Sequence, residues 1–288
     1  MKLACLRAAA ALALAMCGEA NGLPFSATFS ATTDDASGHS FDVDFSLSPN
    51  EHVTLNAGAG QSTGSDETAD LRGTLLNAGA SFHGDRGGVS LDYDRFDDSS
   101  NYHSAILGAR AWISAGDFEF ALLARQRDMG VDLTLELALR TVRREVDFAA
   151  AGVGAQVTWT GDKYSAYAMA LKYDYDDDFD NFIELINSPQ LAQRPIIEGL
   201  VGSFITQARG AIDRQAGAGV ERAFGRHSLA LDVASVHDAM LDSSSVSAAL
   251  TWRFTQSAHV DWSVSGGMVD SDAYGQIGFL GMALGLTH

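Results

Sequence analysis

The chain has 288 residues, with 19 Lys and Arg against 37 Asp and Glu, a net charge of −18, and 29 glycines. So acidic a chain argues against nucleic acid as a partner, because phosphate binding needs clustered Lys and Arg. Mean hydropathy is near zero, yet no apolar stretch of about 20 residues follows the first twenty, so no membrane-spanning helix is expected there.

The N-terminus reads as an export signal. Lys2 and Arg7 form a basic region, and Ala8 to Cys17 form an apolar run too short to span a bilayer. Small residues at Gly18 and Ala20 place cleavage after Ala20, which makes 1–20 a leader and 21–288 a single domain. A rival reading makes Cys17 a lipid-bearing first residue, since Leu14-Ala15-Met16-Cys17 approaches a lipidation motif, although Met16 is bulky where such motifs want Gly or Ala. Both cysteines, Cys5 and Cys17, fall in the leader or at its edge, so the mature chain is expected to hold no disulfide.

Beyond the leader, apolar residues alternate in segment after segment. Phe41, Val43, Phe45 and Leu47 oppose Asp42, Asp44, Ser46 and Ser48; Val89, Leu91 and Tyr93 oppose Ser90, Asp92 and Asp94. Phe118, Phe120 and Leu122 oppose Glu119, Ala121 and Leu123. Tyr167, Met169, Leu171 and Tyr173 oppose Ala166, Ala168, Ala170 and Lys172. Leu229, Leu231 and Val233 oppose Ser228, Ala230 and Asp232; Leu250, Trp252 and Phe254 oppose Ala249, Thr251 and Arg253. A period of two is the signature of a strand with two unlike faces. The pattern predicts strands near 24–32, 40–48, 52–60, 71–82, 87–96, 103–113, 117–126, 147–159, 163–174, 213–224, 227–237, 244–254, 257–268 and 275–287. That is about 14 strands, with a range of 12 to 16 because 131–137 also alternates and 195–212 fits a strand or a helix.

The connections alternate in kind. Ser48-Pro49-Asn50-Glu51, His83 to Gly87, Ser114-Ala115-Gly116-Asp117 and Phe224-Gly225-Arg226-His227 are tight-turn compositions. The others, 33–39, 61–70, 97–102, 127–146, 175–212, 238–244 and 269–274, are longer and mostly acidic. Transmembrane barrels show this asymmetry, with short periplasmic turns and long outer loops. Trp159, Tyr173, Trp252 and Phe254 near strand ends suit interfacial aromatic belts.

Charges gather on the polar faces: Asp42, Asp44, Asp92, Asp94, Arg110, Glu119, Arg125, Lys172, Asp232, Arg253 and Asp261. Arg or Lys facing lipid at mid-bilayer costs about 2–4 kcal/mol, so these residues are expected to line a lumen. There they would either screen solutes by charge or form a static network that fills a narrow barrel. The 175–212 segment is too long for an idle connection. It opens on Asp174, Asp176, Asp177, Asp178 and Asp180, and continues with Phe182, Ile183, Leu185, Ile186, Ile196, Ile197 and Phe204. One reading folds it into the barrel mouth as a constriction; the other packs it outside or binds it to lipopolysaccharide through cations. The aspartates lack the glycine spacing and distal Glu of a calcium loop and read as a solvated run, so no metal is expected.

Catalytic arrangements are sparse. His103–Ser104 and His227–Ser228 are adjacent pairs, hence on opposite faces of a strand, and His237–Asp238 stands at a loop edge. No phosphate-cradling glycine loop or dinucleotide fingerprint occurs. The chain is expected to be no enzyme and to need no cofactor.

The last strand is the most specific signal. Leu280, Met282, Leu284 and Leu286 alternate with Gly281, Ala283, Gly285 and Thr287, and the chain stops at His288. This resembles the C-terminal strand of Gram-negative outer-membrane β-barrel proteins, which the barrel assembly machinery reads; that family usually ends in Phe, where this chain has His288. The resemblance implies an all-β, antiparallel up-and-down transmembrane barrel in the outer membrane, with bilayer lipid and lipopolysaccharide as surroundings and no oligomeric state specified. The function it implies is a porin-like channel for passive diffusion of small polar solutes. The alternatives are a non-conducting structural or adhesive barrel and a barrel hydrolase acting on lipid or peptide.

Overall fold

The computed structural model describes residues 24–65, 70–99, 102–137, 140–176, 179, 211–239, 241–273 and 275–288. The expected leader, Cys17 and nearly all of the 175–212 connection lie outside the described residues. The strands are β1 (Phe25–Asp34), β2 (His39–Asn50), β3 (Val53–Ser65), β4 (Asp70–Gly84), β5 (Gly87–Asp98), β6 (Tyr102–Ala115) and β7 (Phe118–Leu137). They continue as β8 (Arg140–Thr160), β9 (Tyr164–Tyr175), β10 (Ile212–Phe224), β11 (His227–Asp238), β12 (Ser243–Ser257), β13 (Val260–Ser271) and β14 (Gly275–Thr287). Each pairs antiparallel with its neighbours in sequence, and β14 pairs with β1 to close the barrel.

Closure satisfies the backbone. The His288 N–H donates to the Phe25 carbonyl at 2.8 Å, so the final residue takes part in the seam. A closed sheet leaves no edge, and this is the one way a β structure can cross hydrocarbon. Two of the tight turns on the rim that carries both termini place Gly116 and Gly225 at φ of 60° and 68°. Side chains adopt that left-handed region at a steric cost that glycine escapes.

The outer surface is apolar where a soluble protein would be polar. Leu122 is 70 %, Val153 69 % and Met282 63 % exposed. Such a band is untenable in water and is the expected face of a barrel in a bilayer. Leu280, Met282 and Leu284 contribute to it, and Leu286 follows in the same register. Near the short-turn rim, Trp252 meets Trp262 edge-on at 5.0 Å and Phe254 meets Trp262 at 5.5 Å, an aromatic belt at one interface.

Two expectations are corrected. Apart from 176–211, the outer connections are short: 35–38, 66–69, 99–101, 138–139, 239–242 and 272–274. Residues 127–146, expected as a connection with 131–137 as a possible extension of a hairpin, take the second form: the β7–β8 hairpin continues through Val131↔Val146 to Leu137↔Arg140. Acidic and arginine-rich composition conceals pairing here, because the charged residues of 127–146 read as an outer loop although their backbones pair in strict register.

The second correction concerns β9. Its large residues face inward and its alanines outward: Leu171 and Tyr173 are buried, whereas Lys172 is 65 % exposed and pairs with Asp174 at 3.1 Å. Lys172 therefore faces the outside near the long-connection rim, not the lumen, and Tyr173 is a lumen residue, not part of a belt. The neighbours set this register, since Lys172 lies across from the lipid-facing Val153 while Tyr173 lies across from Gly152.

Candidate functional site

The lumen wall is built of aspartates laid against glycines. The cross-strand partners are Asp42↔Gly60 and Asp44↔Gly58 on β2–β3, Asp92↔Gly79 on β5–β4 and Asp92↔Gly108 on β5–β6. On the far side they are Asp232↔Gly219 and Asp261↔Gly285. A Cβ at Gly108 would meet the Asp92 carboxylate and one at Gly219 would meet that of Asp232, so a side chain there would displace the carboxylate. The glycines let the acids lie along the wall.

Partners of the wall charges fall into two kinds. Asn77 donates its side-chain N–H to Asp44 at 3.1 Å, and the Tyr167 hydroxyl donates to Asp232 at 2.9 Å, so these carboxylates have neutral partners. Two of the inward arginines have acidic ones: Arg110 pairs with Glu119, and Arg253 reaches Glu221 at 3.6 Å. Arg110 also lies 4.7 Å from the Trp112 ring centroid. Arg125 faces inward between Gly108 and Gly152. Thus Asp92, Asp94, Arg110, Glu119, Arg125, Asp232, Arg253 and Asp261 occupy the inner face, with Lys172 the exception.

At the long-connection end the inner face changes character. Phe96, Tyr102, Met129, Phe148, Phe179 and Ala211 form a buried apolar cluster, and Ala150, Leu171, Tyr173 and Ile212 form a second. Phe179 stacks on Tyr175 at 4.2 Å and meets Phe148 edge-on at 5.1 Å. One carboxylate steers it there. Asp176 accepts from the Ala149 N–H at 2.8 Å and from the Phe179 N–H at 3.1 Å, which turns the chain inward as it leaves β9. The start of the long connection therefore sits in the barrel mouth; its remainder, including Asp177, Asp178 and Asp180, lies outside the described residues.

The sequence pattern missed Arg127, which is buried in this mouth with its guanidinium 5.2 Å from the Tyr173 ring centroid. Composition places it in an outer loop. Continuing the inner face of β7 from Glu119 through Leu123 and Arg125 finds it. Tyr167, Asn77 and Glu221 were missed as partners, because pairing across strands 32 to 65 residues apart leaves no local mark.

Among the described residues the histidines do not form a catalytic triad. His103 faces outward, 3.9 Å from Asp147, while the next residue, Ser104, is buried on the inner face. His237 also faces outward, with Nδ1 2.7 Å from Asp213 and Nε2 3.5 Å from Asp242; its sequence neighbour Asp238 points the other way. His227 stacks on Trp252 in the aromatic belt at 5.6 Å. Among the described residues no three His, Cys, Asp or Glu side chains converge as metal ligands.

Comparison with known proteins bears on the fold. No family profile and no curated protein matches the chain. Solved structures do: OmpT of Vibrio cholerae, described as expressed in the outer membrane, superposes with a TM-score of 0.50 at 8 % identity, over 92 % of this chain and 97 % of that one. OccK8 (OprE) of Pseudomonas aeruginosa gives 0.43 at 10 % identity, over 92 % and 97 %. OpdK of the same organism, solved with vanillate, gives 0.44 at 8 %, over 92 % and 98 %. At these identities the likeness is one of fold: a closed, 14-stranded, antiparallel barrel of outer-membrane type.

Proposed function

We propose that the barrel is an outer-membrane channel for passive diffusion of small polar solutes, with a preference for cations. The observation that carries the reading is a wet inner wall. Asp44, halfway along β2 and facing inward, is exposed, and the inward Arg253 side chain is 53 % exposed. A lumen packed solid would bury both. The preference follows from the pairing and the count: Arg110 and Arg253 are offset by Glu119 and Glu221, Asp44 and Asp232 keep their charge beside neutral donors, and Asp42, Asp92, Asp94 and Asp261 stand on the same wall against Arg125 and the buried Arg127. A wall of one sign raises the local concentration of the opposite ion.

The test is the current of the refolded protein in a planar bilayer under a salt gradient. Discrete openings with a reversal potential on the cation side are expected, moving toward zero in Asp44→Asn/Asp232→Asn. A folded barrel that carries no current would overturn the reading in favour of a plugged structural anchor, whose support is the apolar cluster around Phe179. A hydrolase draws no comparable support, since both nitrogens of His237 face carboxylates.

A further inference from the structure

Two histidines meet on the short-turn rim where the barrel closes. Thr287, the last residue of β14, donates its N–H to the His259 carbonyl at 2.9 Å, and His259 Nδ1 lies 2.9 Å from the Thr287 carbonyl oxygen. His288 follows. Its N–H donates to the Phe25 carbonyl at 2.8 Å, and its own carbonyl accepts from the Phe25 N–H at 3.3 Å. Both backbones are therefore held, His259 at the head of β13 and His288 between β14 and β1. Their ring centroids stand 6.5 Å apart, with the planes inclined by 32°.

The nitrogens of this pair are open. A carbonyl oxygen only accepts, so His259 Nδ1 carries the proton and Nε2 presents its lone pair. Histidines that bind metals use this arrangement: the far ring nitrogen donates to a carbonyl or carboxylate, which fixes the tautomer and the direction of the ring. Other histidines of the chain are engaged differently. His83 Nε2 lies 2.9 Å from the Ser81 hydroxyl, His227 Nδ1 accepts from the Trp252 indole N–H at 3.2 Å, and both nitrogens of His237 face carboxylates. Among the described residues neither His259 nor His288 has a carboxylate oxygen within 4.0 Å of a ring nitrogen. Both side chains are exposed, so an ion reaches them from water without rearranging the sheet.

We infer that His259 and His288 together bind one divalent transition-metal ion, zinc or copper, at the seam of the barrel. Imidazole nitrogen suits these ions, whereas the hard cations magnesium and calcium choose carboxylate oxygens. Two imidazoles at the usual metal–nitrogen distance of about 2.0–2.1 Å bring their ring centroids to about 5 Å in a tetrahedral arrangement. Rotation of the exposed His288 side chain covers the difference from 6.5 Å. Water fills the remaining positions. The bound ion ties the turn before β13 to the end of the strand that closes the barrel, and so holds β14 against fraying. It does so whether or not the lumen conducts.

The experiment adds zinc chloride to the refolded full chain in micelles of a neutral detergent at neutral pH. Bound zinc is measured by competition with a chromophoric chelator, and the unfolding rate in guanidinium by loss of the heat-modifiable gel shift. One tightly held zinc per chain is expected. Unfolding should slow about tenfold once free zinc exceeds its dissociation constant about tenfold, provided β14 has frayed in the transition state. Both effects should vanish in His259→Gln and in His288→Phe, which keeps a ring and removes the nitrogens. His52→Gln changes another exposed histidine of the same rim and should keep both. Because the two side chains are exposed, the variants are expected to fold, and the gel shift without zinc checks it. Zinc held equally by His259→Gln and the parent would overturn the inference. So would magnesium slowing unfolding as much as zinc, which would assign the effect to the acidic surface. Zinc bound at the pair with the unfolding rate unchanged would overturn the tie across the seam.

Discussion

Strands β9 and β11 stand two apart in the same wall and divide their faces in opposite ways. β11 sets Leu229, Leu231 and Val233 toward lipid and Ala230, Asp232 and Ala234 toward the lumen. β9 sets Ala166, Ala168 and Ala170 toward lipid and Tyr167, Met169, Leu171 and Tyr173 inward. Both alternate with period two, so alternation marks each as a strand without telling which face meets the membrane. Lipid accepts alanine as readily as leucine, and a lumen that narrows at its mouth accepts tyrosine as readily as aspartate. What separates the two strands is what stands across from them. Tyr173 and Leu171 fill space over Gly152 and Gly154, while Asp232 lies against Gly219.

The largest effect comes from placing a charge on the disputed face of β9. Ala168→Arg puts a guanidinium against hydrocarbon and is expected to cost about 2–4 kcal/mol at mid-membrane. Ala234→Arg, on the inner face of β11, should leave stability within about 0.5 kcal/mol, because its side chain meets water. Urea unfolding in vesicles measures both. Equal tolerance of the two substitutions would mean that β9 is turned the other way and would return Lys172 to the lumen.

Much of the fold is legible in the sequence. About fourteen strands, the last of them carried by the Leu280–Leu286 repeat, and the inward aspartates follow from period-two alternation, which hydrocarbon on one side and water on the other impose on every crossing strand. Legibility fails where that contrast disappears. At the long-connection end the polar–apolar contrast is lost on β7, where Arg127 is buried on the inner face beside Met129, so 127–146 reads as a loop by composition. On β9 small and large residues are both apolar, so polarity of face cannot be assigned, and the single charge at Lys172 draws the strand the wrong way round. The glycine seats under Asp92 and Asp232, and the Tyr167 partner, depend on strand register, which a single segment does not encode.

The mouth is the second place where the two sides of the comparison can be sharpened. Phe179 packs on Tyr175 at the end of β9 and on Phe148 of β8, whereas the β11 side of the lumen carries no comparable cluster among the described residues. Phe179→Ala removes the ring that extends this cluster into the mouth. In the proposed channel its single-channel conductance should exceed that of the parent, with the reversal potential little changed, because no wall charge is altered. Conductance equal to that of the parent would mean that the narrowest point lies elsewhere.

The smallest effect joins the two strands directly. Tyr167 of β9 reaches across Gly219 of β10 to donate its hydroxyl to Asp232 of β11, a side-chain hydrogen bond that ties the two contrasting strands together on the lumen side. Tyr167→Phe keeps the ring over Gly219 and deletes the donor. The loss should stay below about 1.5 kcal/mol, the usual net value of such a bond, because lumen water can solvate the carboxylate in its place. Asp232 then holds its charge without a protein donor leaning on it, so the reversal potential should move slightly further to the cation side. A shift toward anions would mean that the carboxylate swings away from the lumen when released. A loss of several kcal/mol would mean that water does not reach it, and the wall around Asp232 would then be packed, not wet.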